Sequence, residues 1–323
     1  MLDTPILVLV DLADGSELTT ASAELLTTAR DLTNGGVTAL SLAPVTDPTD
    51  VAAFGATRLL VADLGERACL AGLAADAVVA AVRQDAPAAV LVTSDYRGKE
   101  IAGRAAMLLG SACVSDVAEL KAVGGSLQAS KLVLSGSWAT TMDISATGSV
   151  PVLAVRPGTV EPSICVNAAT LSAEVLDFQP TAEAAAVRLV SREVSHTSGP
   201  ELASARTVVV MGRGTDGDLE LVRSIAEPLG AAIGATRVSC DEGWIDRSAQ
   251  VGQTGVSISP RLYLSLGVSG AVHHTSGIQG AGTIVAIDSD SEAPIFELAD
   301  FGVVGDVAEV VPQLVSELEQ RRG

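Results

Sequence analysis

Apolar positions fall into two rhythms along this chain. Short runs such as ILVLV (6–10), VTALSLAP (37–44), RLLVAD (58–63) and AAVLVTS (88–94) are apolar at nearly every position. A strand buried on both faces has that character. Between them lie Ala- and Leu-rich stretches with apolar residues every three or four positions: SELTTASAELLTTARDL (16–32), a short piece near Val51 to Phe54, AGLAADAVVAAVRQ (71–84) and KEIAGRAAMLLG (99–110). Strand and helix in alternation predict βαβ units, a parallel sheet covered on both faces. Ser16 is the expected N-cap of the first helix, and Gly35 with Gly36 its stop.

After Ser111 the rhythm changes. Short alternating runs separated by GG, SGS and TGS predict an antiparallel meander laid on the edge of the sheet. Residues 160–180 and 187–194 read as further extended segments, and His196 to Pro200 as a linker in which His196 is exposed and idle. From TVVVM (207–211) the first rhythm returns, with the helical DGDLELVRSIAEPLG (216–230), then the strands in RLYLSLG (261–267) and TIVAI (283–287), and a last helix over about 306–320. The last helix carries Arg321 and Arg322 at its negative end. The expectation is an α/β chain of two Rossmann-like domains, 1–200 and 201–323, the second a doubly wound parallel sheet. A length of 323 residues at 48% hydrophobic can fill two such cores.

Composition narrows the function. Aromatic residues make up 2% of the chain, so the cores are tiled with small aliphatics. The net charge is −19, and neither half offers a basic face for a phosphate backbone, which argues against nucleic acid. The eight basic residues after position 200 are all arginines. Cys69, Cys113, Cys165 and Cys240 are too far apart for a metal pair or a CxxC, and are expected as buried small hydrophobes. The N-terminus reads as a first strand and not a signal peptide, and no run approaches the ~18 apolar residues of a membrane span. A soluble, cytoplasmic protein is expected.

Candidate chemistry is sparse in the first half. No GxGxxG follows the first strand. Arg97, Lys99 and Arg104 stand close together in the sequence, either as part of a nucleotide site or as a solvated helix face. The second half is denser. Arg213 follows the strand 207–211 inside Gly-Arg-Gly, at the carboxyl end where ligands of open α/β sheets bind. Gln250 to Asp306 then gathers amides, a hydroxyl, a glycine turn, a His pair and the spaced aspartates Asp288 and Asp306. Gly267-Val-Ser-Gly-Ala-Val-His-His is a tight turn feeding a helix start, which aims backbone N–H groups at one point and suits a phosphate; Ser269 adds a hydroxyl there. Asp288, at a strand end, is placed to accept from a ribose hydroxyl. Trp244 is expected to pack rather than stack on a ligand.

QVGQTG (250–255), LYLSLGVSGAVHH (262–274), TIVAI (283–287) and APIFELADFGVVGD (293–306), preceded by VVVMGRG (208–214) and LGAAIGATR (229–237), closely resemble the alpha subunit of electron transfer flavoprotein. The resemblance implies FAD as cofactor and a heterodimer with a beta subunit, in which the first domain is the scaffold that packs on beta. It also implies a redox carrier, not an enzyme, which takes electrons from flavin dehydrogenases such as the acyl-CoA dehydrogenases of fatty acid beta-oxidation. A quinone oxidoreductase or another respiratory acceptor receives them. By residue, it implies flavin-nucleotide contacts for Arg213, Thr236 (commonly serine in the family) and Arg237. Gln250, Val251, Gly252, Gln253 and Thr254 fall by the isoalloxazine ring, and Ser269, Gly270, Ala271, Val272, His273 and His274 on the turn. Asp306 and Val307 fall near the adenosine. Arg237, Thr254 and His274 are the set expected to meet the charge that gathers on the ring during reduction. His273 and Asp288 depart from the family, which has glutamine and frequently asparagine there. The alternatives are a nicotinamide-dependent dehydrogenase, which the missing GxGxxG disfavours, and an adenine-nucleotide sensor; a yellow protein as purified excludes both.

Overall fold

The computed structural model describes residues 1–13, 17–134, 138–144, 148–192 and 199–322. It divides into two compact units, Met1–Val133 with Ala139–Glu193, and Leu134–Trp138 with Val194–Gly323.

The first unit runs β1 (Ile6–Val10), α1 (Thr20–Leu32), β2 (Val37–Ser41), α2 (Thr49–Ala53), β3 (Arg58–Val61), α3 (Ala71–Asp85), β4 (Ala89–Thr93), α4 (Tyr96–Leu109), β5 (Cys113–Val117), β6 (Glu119–Val123), β7 (Ser126–Val133), β8 (Trp138–Ile144), β9 (Val152–Val155), β10 (Ala173–Val175) and α5 (Ala182–Ala186). Seven strands pair in the order β10-β3-β2-β1-β4-β9-β5, all parallel. The period of two explains the unbroken apolar runs: Ile6, Val8 and Val10 enter one core with α1, while Leu7 and Leu9 enter the other with α3 and α4.

Several expectations change here. The N-cap of α1 is Thr19, whose hydroxyl accepts from the Ser22 N–H, and Ser16 lies outside the described residues. The sheet β6-β7-β8, with β6 and β7 antiparallel, covers a face of the large sheet rather than extending its edge. Its Leu127, Ala129 and Ile144 join the core that α1 and α2 share, beside Val117 of β5 and Leu153 and Val155 of β9. Of residues 160–180 only β10 is a strand, and α5 had no periodic signal long enough to announce it. His196 lies outside the described residues. Cys240 alone of the four cysteines is buried, while Cys69 and Cys113 are exposed and Cys165 is intermediate. Arg97 pairs with Asp11 at 2.8 Å, Lys99 with Asp116 at 2.7 Å, and Arg104 with Asp76 at 3.5 Å. These three cations serve neither as a cluster for a phosphate nor as a plainly solvated face. They tie α4 to other elements of their own domain.

The second unit runs β11 (Thr207–Met211), α6 (Leu219–Leu229), β12 (Ala232–Ala235), α7 (Arg237–Asp241), β13 (Leu262–Leu266), α8 (Val272–Thr275), β14 (Thr283–Asp288), β15 (Phe301–Val304) and α9 (Val307–Arg322). Its strands pair in parallel in the order β12-β11-β13-β14-β15. This is the doubly wound order whose crevice opens between the first and third strands, here β11 and β13. Val209 and Met211 face α6 and α9, while Val208 and Val210 face a second core with Val251, Ile258, Tyr263 and Ile295. That second face is closed by turns and short helices rather than by long ones. Among the described residues no helix is long and apolar enough to cross a membrane.

Candidate functional site at the carboxyl edge of the second sheet

Most of the candidate binding residues in the second half lie at or just beyond a strand's carboxyl end. Gly212 and Arg213 follow β11, Thr236 and Arg237 follow β12, the turn 267–272 follows β13, Asp288 ends β14, and Asp306 follows β15. The segment 250–254 is brought to the same edge by a parallel bridge between Ala235 and Gln250. Parallel βαβ connections return the chain to the same end of the sheet each time, so residues distant in sequence converge there.

At the crevice the backbones of β11 and β13 nearly touch. A Cβ built on Gly212 would sit 2.1 Å from the Gly267 carbonyl oxygen, and one on Gly267 2.5 Å from the Gly214 Cα. The Gly214 N–H donates to the Gly267 carbonyl at 3.0 Å, which fixes Arg213 beside the turn with its side chain exposed. The helix expected after this turn is only one turn long, so its dipole offers little. The donors are in the turn itself. Among the described residues nothing accepts from the backbone N–H groups of Ser269, Gly270, Ala271 and Val272, and successive N–H groups of that kind form an anion-binding concavity.

The 250–254 turn is held from several directions. Its Val251 N–H donates to Ala235 O at 2.9 Å and its Gln253 N–H to His273 O at 2.7 Å. His273 Nδ1 lies 2.6 Å from Gln253 Oε1, which ties the two exposed side chains together. Gln250 is 3% exposed and its Nε2 donates to Thr254 Oγ1 at 2.9 Å. Gln253 and Thr254 project into solvent.

His274 is placed otherwise than its neighbour. It is 6% exposed, with Nδ1 3.0 Å from the Val251 carbonyl and Nε2 2.7 Å from the Tyr263 hydroxyl. A carbonyl only accepts, so the proton sits on Nδ1 and the Tyr263 hydroxyl donates to Nε2. Burial pushes the ring's pKa down to about 4 and the Tyr263 phenol well above its usual range. His274 is therefore a neutral tie between β13 and the 250–254 turn, with both ring nitrogens occupied by the protein.

Arg237 is exposed and pairs with Asp241 at 3.6 Å; Arg247 grips the same carboxylate and reaches Gln250 Oε1 at 3.5 Å. Asp288 accepts from the Asp290 N–H, and Asp306 caps α9 through the Ala308 N–H. Val307 is buried against Val311 under the sheet. Trp244 packs on the α6 side, 3.0 Å from where a Cβ on Gly217 would lie. Sequence reasoning missed Asp241, Arg247 and Tyr263. Arg247 stands three residues before Gln250, and in a domain with so few cations that spacing was the available signal.

Turn N–H groups for a diphosphate, two exposed guanidiniums, and amide and hydroxyl donors on a fixed turn make a donor set that fits a flavin dinucleotide. Fold and site together define a parallel α/β protein whose second sheet presents, at its switch point, donors of the kind such a cofactor takes. Comparison with known families gives the same class in narrower form. Residues 201–279 match the family model described as the electron transfer flavoprotein FAD-binding domain, and residues 6–194 match the electron transfer flavoprotein domain. The chain is 39% identical over 327 residues to the electron transfer flavoprotein subunit alpha of Mycobacterium tuberculosis (strain ATCC 25618 / H37Rv), covering 98% of this chain and 99% of that one. It is 37% identical over the same length to that of Mycobacterium leprae (strain TN), with the same coverage, and 35% identical over 241 residues to the mitochondrial subunit alpha of Arabidopsis thaliana, covering 72% and 65%. The chain belongs to the electron transfer flavoprotein alpha-subunit family, a family of electron carriers, and its cofactor is FAD.

Proposed function

We propose that this chain is the FAD-carrying half of a cytoplasmic heterodimer with an electron transfer flavoprotein beta subunit. It takes electrons from flavin dehydrogenases, those of fatty acid beta-oxidation among them, and passes them to a quinone oxidoreductase or another respiratory acceptor. Residues 1–200 serve as the scaffold for the partner and 201–323 hold the cofactor. The observation that carries the reading is the convergence of the 250–254 turn, the 267–274 turn, Arg213 and Arg237 on one sheet edge. Arg213, Thr236 and the N–H groups of 269–272 hold the diphosphate, and Asp288, Asp306 and Val307 lie at the adenosine end. Arg237 and Thr254, with His274 behind the turn, attend the ring. FAD, when bound, exchanges electrons singly or in pairs.

Arg237 tests the reading. A guanidinium is permanently charged, planar and weakly hydrated, so it lies against a ring and opposes added negative charge. At ~4 Å and an effective dielectric of about 20, the attraction is roughly 4 kcal/mol. Desolvation and the opposing Asp241 leave about 1–3 kcal/mol. Arg237→Ala is expected to retain FAD and to lower the first reduction potential by about 40–130 mV, taking ~59 mV as tenfold for one electron. The complex should be one-to-one by sedimentation, and acid-released flavin should run as FAD. An unchanged potential in an FAD-loaded Arg237→Ala complex removes Arg237 from the ring.

A further inference from the structure

We infer that Arg247 is a positioning residue that makes Thr254 a hydrogen-bond donor to the flavin, an inference that rests on the reading that Thr254 faces the ring.

Donors and acceptors fix the orientation of the Gln250 amide. A guanidinium has only N–H groups, so the Gln250 atom that faces Arg247 Nη1 at 3.5 Å is the carbonyl oxygen Oε1. The rest of the guanidinium is held by Asp241, which also pairs with Arg237. With Oε1 committed, the Gln250 amide nitrogen turns the other way and donates to Thr254 Oγ1 at 2.9 Å. A hydroxyl that accepts one hydrogen bond keeps its own hydrogen to give. Thr254 is exposed, so that hydrogen is available to whatever lies on the outer side of the turn. Gln250 is buried and its backbone is bridged to Ala235, so its side chain has one axis left about which to choose.

Remove Arg247 and the choice reopens. With the amide turned over, Oε1 faces Thr254, the hydroxyl donates inward, and its outward face becomes an acceptor. The ion pairs of Asp241 thus set the polarity of a hydroxyl two side chains away. Arg247 itself is about two-thirds exposed and Thr254 lies beyond Gln250, so the effect does not require Arg247 to touch the cofactor.

A double-mutant cycle on the FAD dissociation constant tests this, with the full chain in complex with its partner subunit and FAD itself as the probe. Thr254→Val is expected to weaken FAD about fivefold, the equivalent of one neutral hydrogen bond of ~1 kcal/mol. Arg247→Met should weaken it about twofold, a little under half of that free energy, because the amide then samples both orientations. Arg247→Lys, which still donates to Oε1, should bind FAD as the unaltered protein does. The decisive result is the coupling: in the Thr254→Val background, Arg247→Met should have no further effect. An equal effect of Arg247→Met in both backgrounds, as a bare charge acting through space would give, overturns the inference, and so does an effect of Thr254→Val with none of Arg247→Met. If Thr254→Val changes nothing, the placement of Thr254 at the ring fails, and the inference fails with it.

Discussion

Gly267→Ala is expected to destabilise the FAD-binding domain by about 2–5 kcal/mol. Two costs add. Gly267 has φ +63°, and an L-residue in that left-handed region costs about 1–2 kcal/mol. Its new methyl would also be driven into the backbone, 2.5 Å from the Gly214 Cα and 2.7 Å from the Gly214 carbonyl carbon, and forced overpacking costs roughly 1–3 kcal/mol. Neither strand can step aside, since β11 and β13 are paired along five residues up to this point. Gly230 supplies the control. It has φ +59° at the end of α6, with nothing within 4 Å of an added Cβ, so Gly230→Ala bears the conformational cost alone. Urea midpoints of flavin release should rank the unaltered chain first, Gly230→Ala next and Gly267→Ala last. Equal midpoints for the two variants would mean that the crevice is more open than this structure has it.

Acid should loosen the same domain through His274. Its pKa is about 4 in the folded chain against 6.5 for the free side chain. Between those values the unfolded chain binds a proton that the folded chain refuses. Stability therefore falls as pH drops through 6.5 and levels off below about 4, for a total of about 3 kcal/mol. His274→Gln keeps an amide that donates to the Val251 carbonyl and accepts from Tyr263, but does not titrate. The difference between the unaltered chain and His274→Gln, followed by the urea midpoint of flavin release from pH 7 to pH 4, isolates this group from the carboxylates. Asp246, on the same domain, has its pKa held below 3.8 by the Ser248 N–H, so it loses its contribution only below that window. Parallel pH profiles for the two proteins would show that His274 is solvated and free to titrate normally.

How far the sequence could be read depended on the range of the interactions involved. The strands β1, β4, β11 and β13 are apolar at nearly every position because both faces are covered, and that is written locally. So is the glycine turn after β13, since φ and the close backbone approach admit little else. The meander was legible as strands but not as a cover for the face beside α1, because nothing in its alternation says which surface the Leu127 side meets. Tyr263 reads as another apolar strand residue, and the partner of its hydroxyl lies eleven residues on. Asp241 and Arg247 look like ordinary surface charges. Their meaning depends on a short α7 that turns one carboxylate towards two guanidiniums, a matter of tertiary geometry. The four cysteines misled for a similar reason: the habit of free cysteine to be buried is a general tendency, and the local fold overrode it at three positions.

With the flavin ring placed at the 250–254 turn as proposed, the stitching of that turn bears on the speed of electron transfer. Its N–H groups are tied to β12 through Ala235 and to α8 through His273, and His274 braces it from below. Dipoles held in this way cannot swing when charge arrives at or leaves the cofactor, and preorganised dipoles contribute their stabilisation without a reorganisation step. Water in the same position would have to turn with every electron. A protein whose work is repeated exchange gains from a low reorganisation energy in both directions, and on the proposed placement a stiff polar turn backed by a neutral histidine would supply it without favouring either the arrival or the departure of the electron.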